Sequence, residues 1–376
     1  MRQLSLSGRA LLPDGTLCPA TVVVGDGTIT RVTPGLDPQA DLVTPGTIAP
    51  GFIDLQLNGA YGADFTNDGR AVASVAARLP ETGVTAFVPT IITSPWAEYP
   101  NRLREVREAS RNLAGARVLG VHLEGPYLNP AKKGAHNSAF LRAPNVDEML
   151  RWADESVRIM TLAPELPGAL DAIKALRARD IVVSAGHSNA TCEQALAGFA
   201  AGLGWVTHLF NAMRSLGHRE PGLPGATLTS PVPCGMIVDG IHTHPSIVKL
   251  AYRAKGAAGL TLVTDAMAAM GMPPGRYKLS DRAVIVDATS ARLADGTLAG
   301  SILTLDQAVR NAVEFTGCSV AEALTMATAT PAHVLGLERQ GRIAPGCDAD
   351  LVVLDESLYV TQTFVKGNLV FARREA

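Results

Sequence analysis

The chain has 376 residues, 47% of them hydrophobic and 18% charged, enough to bury a sizeable core and too apolar for a disordered chain. Its formal net charge of -2, without any basic run, gives nucleic acid little to bind. No apolar run is long enough to cross a bilayer, and the first residues carry no apolar signal core, so no membrane partner is expected.

The elements in chain order begin with short strands and tight turns over residues 1–50. In TVVVGDGTITRV the Gly25-Asp26-Gly27 stretch is a hairpin signal. From Pro50 to Glu338 eight short apolar runs follow: FIDLQL, TAFVPT, VLGVHL, VRIMTL, IVVSAG, WVTHLF, GMIVDG and LTLVTD. Between them YPNRLREVREASRNLAG, GALDAIKALRARD and SIVKLAYRAKG carry apolar residues at helical spacing. Capping boxes are expected at Thr191 with Gln194, Thr304 with Gln307, and Ser319 with Glu322. After Gly341 the strand-and-turn texture returns in DLVVLD and TFVKGNLVFA. The expected fold is therefore α/β: a (β/α)8 barrel over residues 51–338, with a small β-domain built from both termini, 1–50 and 339–376. A doubly wound sheet is the structural rival, but no GxGxxG follows the first strand. The cysteines, Cys18, Cys192, Cys234, Cys318 and Cys347, are scattered without a CxxC pair, as suits a reducing compartment and a cytoplasmic protein.

A barrel places its chemistry at the C-terminal ends of its strands. Run one ends at Gln56 and Asn58, run three at His122 and Glu124, and run five at His187; His208 lies in run six. Asp239 and His242 follow run seven, and Asp265 closes run eight. Taken alone, Glu124 at the end of an apolar strand could be paired with an arginine, backbone N–H groups or a metal. Each histidine alone would more often be a satisfied core or loop residue than a ligand. Together, Glu124, His187 and His208 offer one oxygen and two nitrogens at one barrel mouth, a donor set for a borderline divalent metal. Asp265 then suits a proton acceptor for the water such a metal acidifies, with a helix N-cap as its structural alternative.

These residues sit in motifs that together resemble the amidohydrolase superfamily and, within it, the N-acetylglucosamine-6-phosphate deacetylase family. The motifs are PGFIDLQLNG, HLEGPYLNPAKKGAHN, AGHSNAT, THLFNAM, GHREPG, DGIHTHP, LVTDAMAAMG and LAGS, spread over nearly the whole chain. The resemblance implies a metal-dependent barrel with a small β-sandwich from both termini, hydrolysing N-acetylglucosamine 6-phosphate to glucosamine 6-phosphate and acetate. Its metal ligands fall on Glu124, His187 and His208, and its catalytic aspartate on Asp265. Its substrate contacts fall on Ala135, His136, Asn211, Ala212, Arg219, Asp239, Gly240, Ile241, His242, Leu298, Ala299 and Gly300. His136 matches the histidine beside the acetamido oxygen, where it would stabilise an oxyanion; a water-bonded loop residue is the alternative. Many superfamily members end strand one with His-x-His and hold two metals. Gln56-Leu57-Asn58 stands there instead, and neutral amides are poor zinc ligands, so one divalent ion per subunit, zinc, is expected. The resemblance also implies a homodimer. Competing readings are an amidohydrolase for another N-acyl compound, a binding barrel without chemistry, and a Schiff-base aldolase, for which no strand end offers a lysine.

Overall fold

The structure is a computed structural model describing residues 3–374. The outermost ends of the expected terminal segments, 1–2 and 375–376, lie outside the described residues. Eight parallel strands follow one another around a barrel: Phe52–Leu57, Val84–Ile92, Val121–Glu124, Val157–Leu162, Val182–Ala185, Trp205–Val206, Cys234–Met236 and Leu260–Leu262. Neighbours pair in sequence order, and the ring is nearly closed where Leu57 bridges Ala266 and Asp265 N–H donates to the Gln56 carbonyl at 2.9 Å. Each of the eight apolar runs overlaps one of these strands. Helices cover their outer faces and the packed barrel interior their inner ones, so such strands can be continuously apolar, which is why they were readable.

The helices bury the faces that their spacing announced. Tyr99–Ala109 buries Tyr99, Leu103 and Val106, and Ala169–Arg177 buries Ala169, Ala172, Ile173 and Leu176. Both halves of the capping box form at Thr191 with Gln194 and at Ser319 with Glu322. The expected box at Thr304 does not form: Gln307 bonds Asn311 at 2.6 Å and Arg310 at 2.9 Å instead. Competition from those partners further along the same helix face decides the outcome.

Both termini join one separate seven-stranded sheet. Its order runs Asn368–Ala372, Val360–Val365, Leu351–Leu354, Leu42–Pro50, Leu4–Leu11, Leu17–Gly25, Thr28–Pro34. The hairpin at Gly25-Asp26-Gly27 forms, with Asp26 and Gly27 both left-handed (φ 49° and 74°), the conformation its two-residue turn needs. The sheet has its own core of Leu6, Val22, Ile48, Leu351, Val353 and Phe364. Arg117, at the edge of the barrel, clamps it by pairing with Asp348 at 3.0 Å and with Asp350. A three-stranded sheet, Gly275–Leu279, Arg282–Val286 and Ala291–Arg292, follows the eighth barrel strand. Leu279, Val284 and Ala299 pack it against Ile92, Ala135 and Met267 at the strand ends. Among the described residues no helix is long and apolar enough to cross a membrane.

Candidate metal centre and active site

A cleft of about 460 Å³ opens at the C-terminal mouth of the barrel. Period-two alternation explains which groups reach it. His122 and Glu124 share the inward face of one strand, but His122 lies a layer deeper. There its Nε2 meets the Thr161 hydroxyl at 2.7 Å, and Thr161 and Ser184 both meet Thr207 at 2.6 Å. Burial pushes His122 down to about 4, so it is a neutral member of a polar belt beneath the site. Glu124, the last residue of the strand, reaches the cleft itself. His187, His208 and Asp265 follow their strands where the chain turns left-handed, at φ 49°, 27° and 48°. For residues other than glycine this costs roughly 1–3 kcal/mol each, and such strain gathers at functional sites.

Glu124, His187 and His208 converge. Their exposures are 2%, 5% and 4%, so the charges they carry are almost fully withdrawn from water. The Lys132 carbonyl can only accept, so His187 Nδ1 donates to it at 2.9 Å and the neutral ring keeps a lone pair on Nε2. That nitrogen faces Glu124 Oε1 at 3.2 Å and His208 Nε2 at 3.1 Å, and His208 Nε2 is 2.9 Å from Glu124 Oε1. Electron-rich atoms so close in a buried place demand positive charge among them. Four-coordinate zinc with bonds of 2.0–2.1 Å spaces its ligand atoms about 3.3 Å apart, close to this triangle. The titration behaviour has the same sense. Without a cation, burial pushes the Glu124 carboxyl up, and hydrogen bonds and charge from protonated His187 and His208 rings outweigh it and hold it well below the usual carboxylate range. A cation among neutral rings would supply that charge instead. His208 is raised because Glu124 reverses the effect of its burial. The donor set therefore fits a divalent cation. Among the described residues His208 Nδ1 is buried without a hydrogen-bond partner, and so are Gln56 Oε1 and Asn58 Oδ1.

His136 is near enough for an overlapping trio with Glu124 and His187. Its Nε2 lies 3.8 Å from Glu124 Oε2, longer than any edge of the first triangle. Burial, with help from the neighbouring His187, pushes its ring down to about 3. Asp265 stands opposite, with Oδ1 accepting from Asn58 Nδ2 at 2.7 Å and from Gln56 Nε2 at 3.1 Å. Gln56 Nε2 also donates to Glu124 Oε1 at 3.1 Å. The two strand-one amides thus present hydrogen donors, not lone pairs, to the two carboxylates. Burial and the Glu124 charge push Asp265 up, against His208, His242 and the Asn58 hydrogen bond.

Of the residues expected from sequence, Glu124, His136, His187, His208 and Asp265 line the cleft. So do Ala135, Asn211, Ala212, His242, Leu298 and Gly300. Asp239 lies behind, its Oδ2 held 2.6 Å from His242 Nδ1 and its Oδ1 capping the N–H groups of Ile241 and His242 at 2.8 Å. Ala299 is fully buried, and Gly240, with φ 75°, makes the turn beside Asp239. Arg219 does not line the cleft of its own chain. It is exposed on its loop, and the neighbouring Glu220 carboxylate accepts from the N–H groups of Cys192 and Gly222 instead.

The amidohydrolase family pattern matches residues 47–370. An N-acetylglucosamine-6-phosphate deacetylase from Bos taurus is 45% identical over 346 residues, covering 88% of this chain and 84% of its own. The chain belongs to the amidohydrolase family, in its N-acetylglucosamine-6-phosphate deacetylase branch. A Mycobacterium smegmatis deacetylase of this branch, solved as a mutant in complex with N-acetyl-D-glucosamine-6-phosphate, superposes with a TM-score of 0.94. It is 35% identical and is matched over 99% of this chain and 100% of that one. An N-acetylgalactosamine-6-phosphate deacetylase from Escherichia coli O157:H7 is 37% identical over 96% of this chain and 97% of its own.

In this deacetylase-branch chain, sequence reasoning missed Lys132, Leu279, Arg292 and Thr297, which also line the cleft. Lys132 was visible as a cation four residues before His136. Leu279 and Arg292 come from the three-stranded sheet, whose strands are too short and exposed to stand out as a pattern.

Proposed function

We propose that this protein hydrolyses N-acetyl-D-glucosamine 6-phosphate to D-glucosamine 6-phosphate and acetate, in amino-sugar metabolism. The observation that carries the reading is the buried triangle of Glu124 Oε1, His187 Nε2 and His208 Nε2 facing Asp265 across the cleft. Glu124, His187 and His208 would hold a single divalent ion, zinc; when bound, it acidifies water and polarises an amide carbonyl. Gln56 and Asn58 keep the count at one, because they offer only neutral amide oxygens, poor zinc ligands beside imidazole and carboxylate, while their NH₂ groups hold Glu124 and Asp265.

The chain's own groups then divide the work. Asp265, its carboxyl raised by burial and by Glu124, accepts a proton from water through its second oxygen and returns it to the departing sugar nitrogen. The water oxygen bonds the acyl carbon as the carbon–nitrogen bond breaks, so the proton Asp265 carries leaves with the amine. His136 donates a hydrogen bond to the acyl oxygen as negative charge grows there. Asn211, Ala212, His242 and the segment Leu298–Gly300 seat the sugar phosphate, with Asp239 fixing the His242 ring and Gly240 and Ile241 shaping its turn. Arg219 completes the phosphate site from the second subunit of a homodimer, which accounts for its distance from the cleft of its own chain. We place the catalytic barrel at 51–338 and one small β-domain at 1–50 with 339–376, supported by the strand that ends at Pro50 beside the one that begins at Phe52. Free cysteines at all five positions are consistent with a cytoplasmic enzyme.

The test is acetate release from N-acetylglucosamine 6-phosphate, N-acetylgalactosamine 6-phosphate and unphosphorylated N-acetylglucosamine, with metal content measured alongside. The expected result is turnover of the first above the other two, with about one zinc per chain held in a four-coordinate site. Faster turnover of the galacto compound, or a requirement for two tightly bound ions, overturns the assignment.

A further inference from the structure

We propose that Thr93 is the positioning residue that sets the tautomer of His136, holding Nδ1 as an acceptor so that the single ring proton sits on Nε2 and faces the cleft. This rests on the reading of His136 as the donor to the acyl oxygen. Thr93 directly follows the second barrel strand and is 1% exposed. Two of its groups address one ring nitrogen. Its hydroxyl lies 2.8 Å from His136 Nδ1, and its backbone N–H points at the same atom at 3.4 Å.

The hydroxyl has one hydrogen and two candidate acceptors, Nδ1 and the Glu124 carbonyl at 3.3 Å. If it donated to the carbonyl, Nδ1 would have to carry the ring proton and donate back to the hydroxyl. That proton would then meet the Thr93 backbone N–H, which can only donate. With the hydroxyl hydrogen on Nδ1, the shorter contact is a hydrogen bond and the backbone contact is attractive as well. The geometry therefore selects the Nδ1 acceptor. The chain also keeps the place free for this hydroxyl. Gly125, at φ 92° just after Glu124, could not carry a side chain there, because its Cβ would fall 2.2 Å from Thr93 Oγ1. Thr93 thus touches both the strand end that presents Glu124 and the ring that faces it.

The consequence separates two roles for neighbouring histidines. His187, with Nδ1 donating to a carbonyl, presents a bare Nε2 and can ligate a metal. His136, with Nδ1 accepting, presents Nε2–H and cannot, although it lies within reach of the same centre. Instead it is a donor, which is what an oxyanion requires. The same side-chain type is turned to opposite tasks by what lies behind each ring.

The tautomer can be read directly. Zinc-loaded protein labelled with ¹⁵N-histidine gives two-bond ring correlations that show which nitrogen is protonated, and the His136 pattern is assigned by its loss in His136→Gln. The expected result is Nε2–H in the wild type and in Thr93→Ser. Thr93→Val removes the hydroxyl donor and leaves only the longer backbone N–H contact on Nδ1, so the Nδ1–H form should rise above its wild-type share. The kcat of this variant should fall roughly 10- to 100-fold, somewhat less than deleting an oxyanion donor outright. Its KM and metal content should stay near wild type, and Thr93→Ser should recover most of the rate. A wild-type ring protonated on Nδ1 overturns the proposal whatever the valine variant does. So does a slow Thr93→Val whose His136 tautomer is unchanged, because the hydroxyl then acts only through packing. If the tautomer is as stated and no N-acetylhexosamine 6-phosphate is hydrolysed, the proposed function fails while the role of Thr93 in fixing the ring stands.

Discussion

Replacing Asp265 by asparagine separates proton transfer from every other function of the site. Asp265 Oδ1 is saturated by Asn58 Nδ2 at 2.7 Å and Gln56 Nε2 at 3.1 Å, so the second carboxylate oxygen is the one left for chemistry. Both partners are donors, and an asparagine must therefore place its carbonyl oxygen where Oδ1 was. Its NH₂ group then takes the place of the reactive oxygen, with nearly the same shape and no capacity to accept a proton. General acid–base help of about 10²- to 10⁴-fold should be lost, or about 3–5 kcal/mol of barrel-mouth catalysis at 1.36 kcal/mol per decade. Steady-state acetate release gives kcat and KM, and elemental analysis gives the metal. In Asp265→Asn kcat should fall by that factor, with KM little changed and metal content intact, because Glu124, His187 and His208 are untouched. A variant that loses its metal, and turns over normally once metal is resupplied, would show that Asp265 is a ligand and refute the division of labour.

Other consequences test different parts of the structure. Asp54, fully enclosed, has its carboxyl pushed up to about 7 by burial, against hydrogen bonds from Thr264 and Gln56. A folded-state value above the unfolded one of 3.8 means the stability tied to this group is present at low pH and is lost as pH rises from about 4 to about 7, by at most about 4 kcal/mol. Asp54→Asn can still accept from the Gln56 and Thr264 N–H groups, so it should lose less stability than wild type between pH 5 and 8 in urea titrations; parallel pH curves would contradict this. Arg117→Met leaves Asp350, 6% exposed, buried without its cation, and should cost about 3–5 kcal/mol in chemical denaturation; a loss below about 1 kcal/mol would mean the clamp between sheet and barrel carries little energy. Arg219→Ala should lose roughly 1.5–3 kcal/mol, or about 10- to 150-fold in kcat/KM, with the phosphorylated substrate only. An equal loss on unphosphorylated N-acetylglucosamine, with the dimer intact, would remove Arg219 from the phosphate site.

The barrel was legible because its strands are buried on both faces and its helices on one, so both kinds of element leave a strong apolar pattern. The terminal sheet was legible from its turns, where Asp26 and Gly27 must both adopt positive φ. What escaped lacks such signals. The three-stranded sheet that lends Leu279 and Arg292 to the cleft has strands of two to five residues with mixed exposure. The Thr304 cap failed because a capping box is a local pattern, and Gln307 had stronger partners within its own helix.

The site was legible for a different reason. In a barrel, strand position and side-chain parity together decide whether an inward residue faces the mouth or the packed interior. His122 and Glu124 share parity and differ by one layer, and only Glu124, at the strand's end, enters the cleft. Counting to the end of each strand therefore finds the groups that can meet a ligand, but not the state in which they meet it. That state depends on atoms behind them, contributed by distant segments: the Lys132 carbonyl behind His187, the Thr93 hydroxyl behind His136, and the amides of Gln56 and Asn58 beside Asp265. Each of these contacts spans 43 to 209 residues of sequence, and none follows from periodicity. Residue identity at a strand end names a possible ligand or acid; the hydrogen bond on its far side decides which of the two it is.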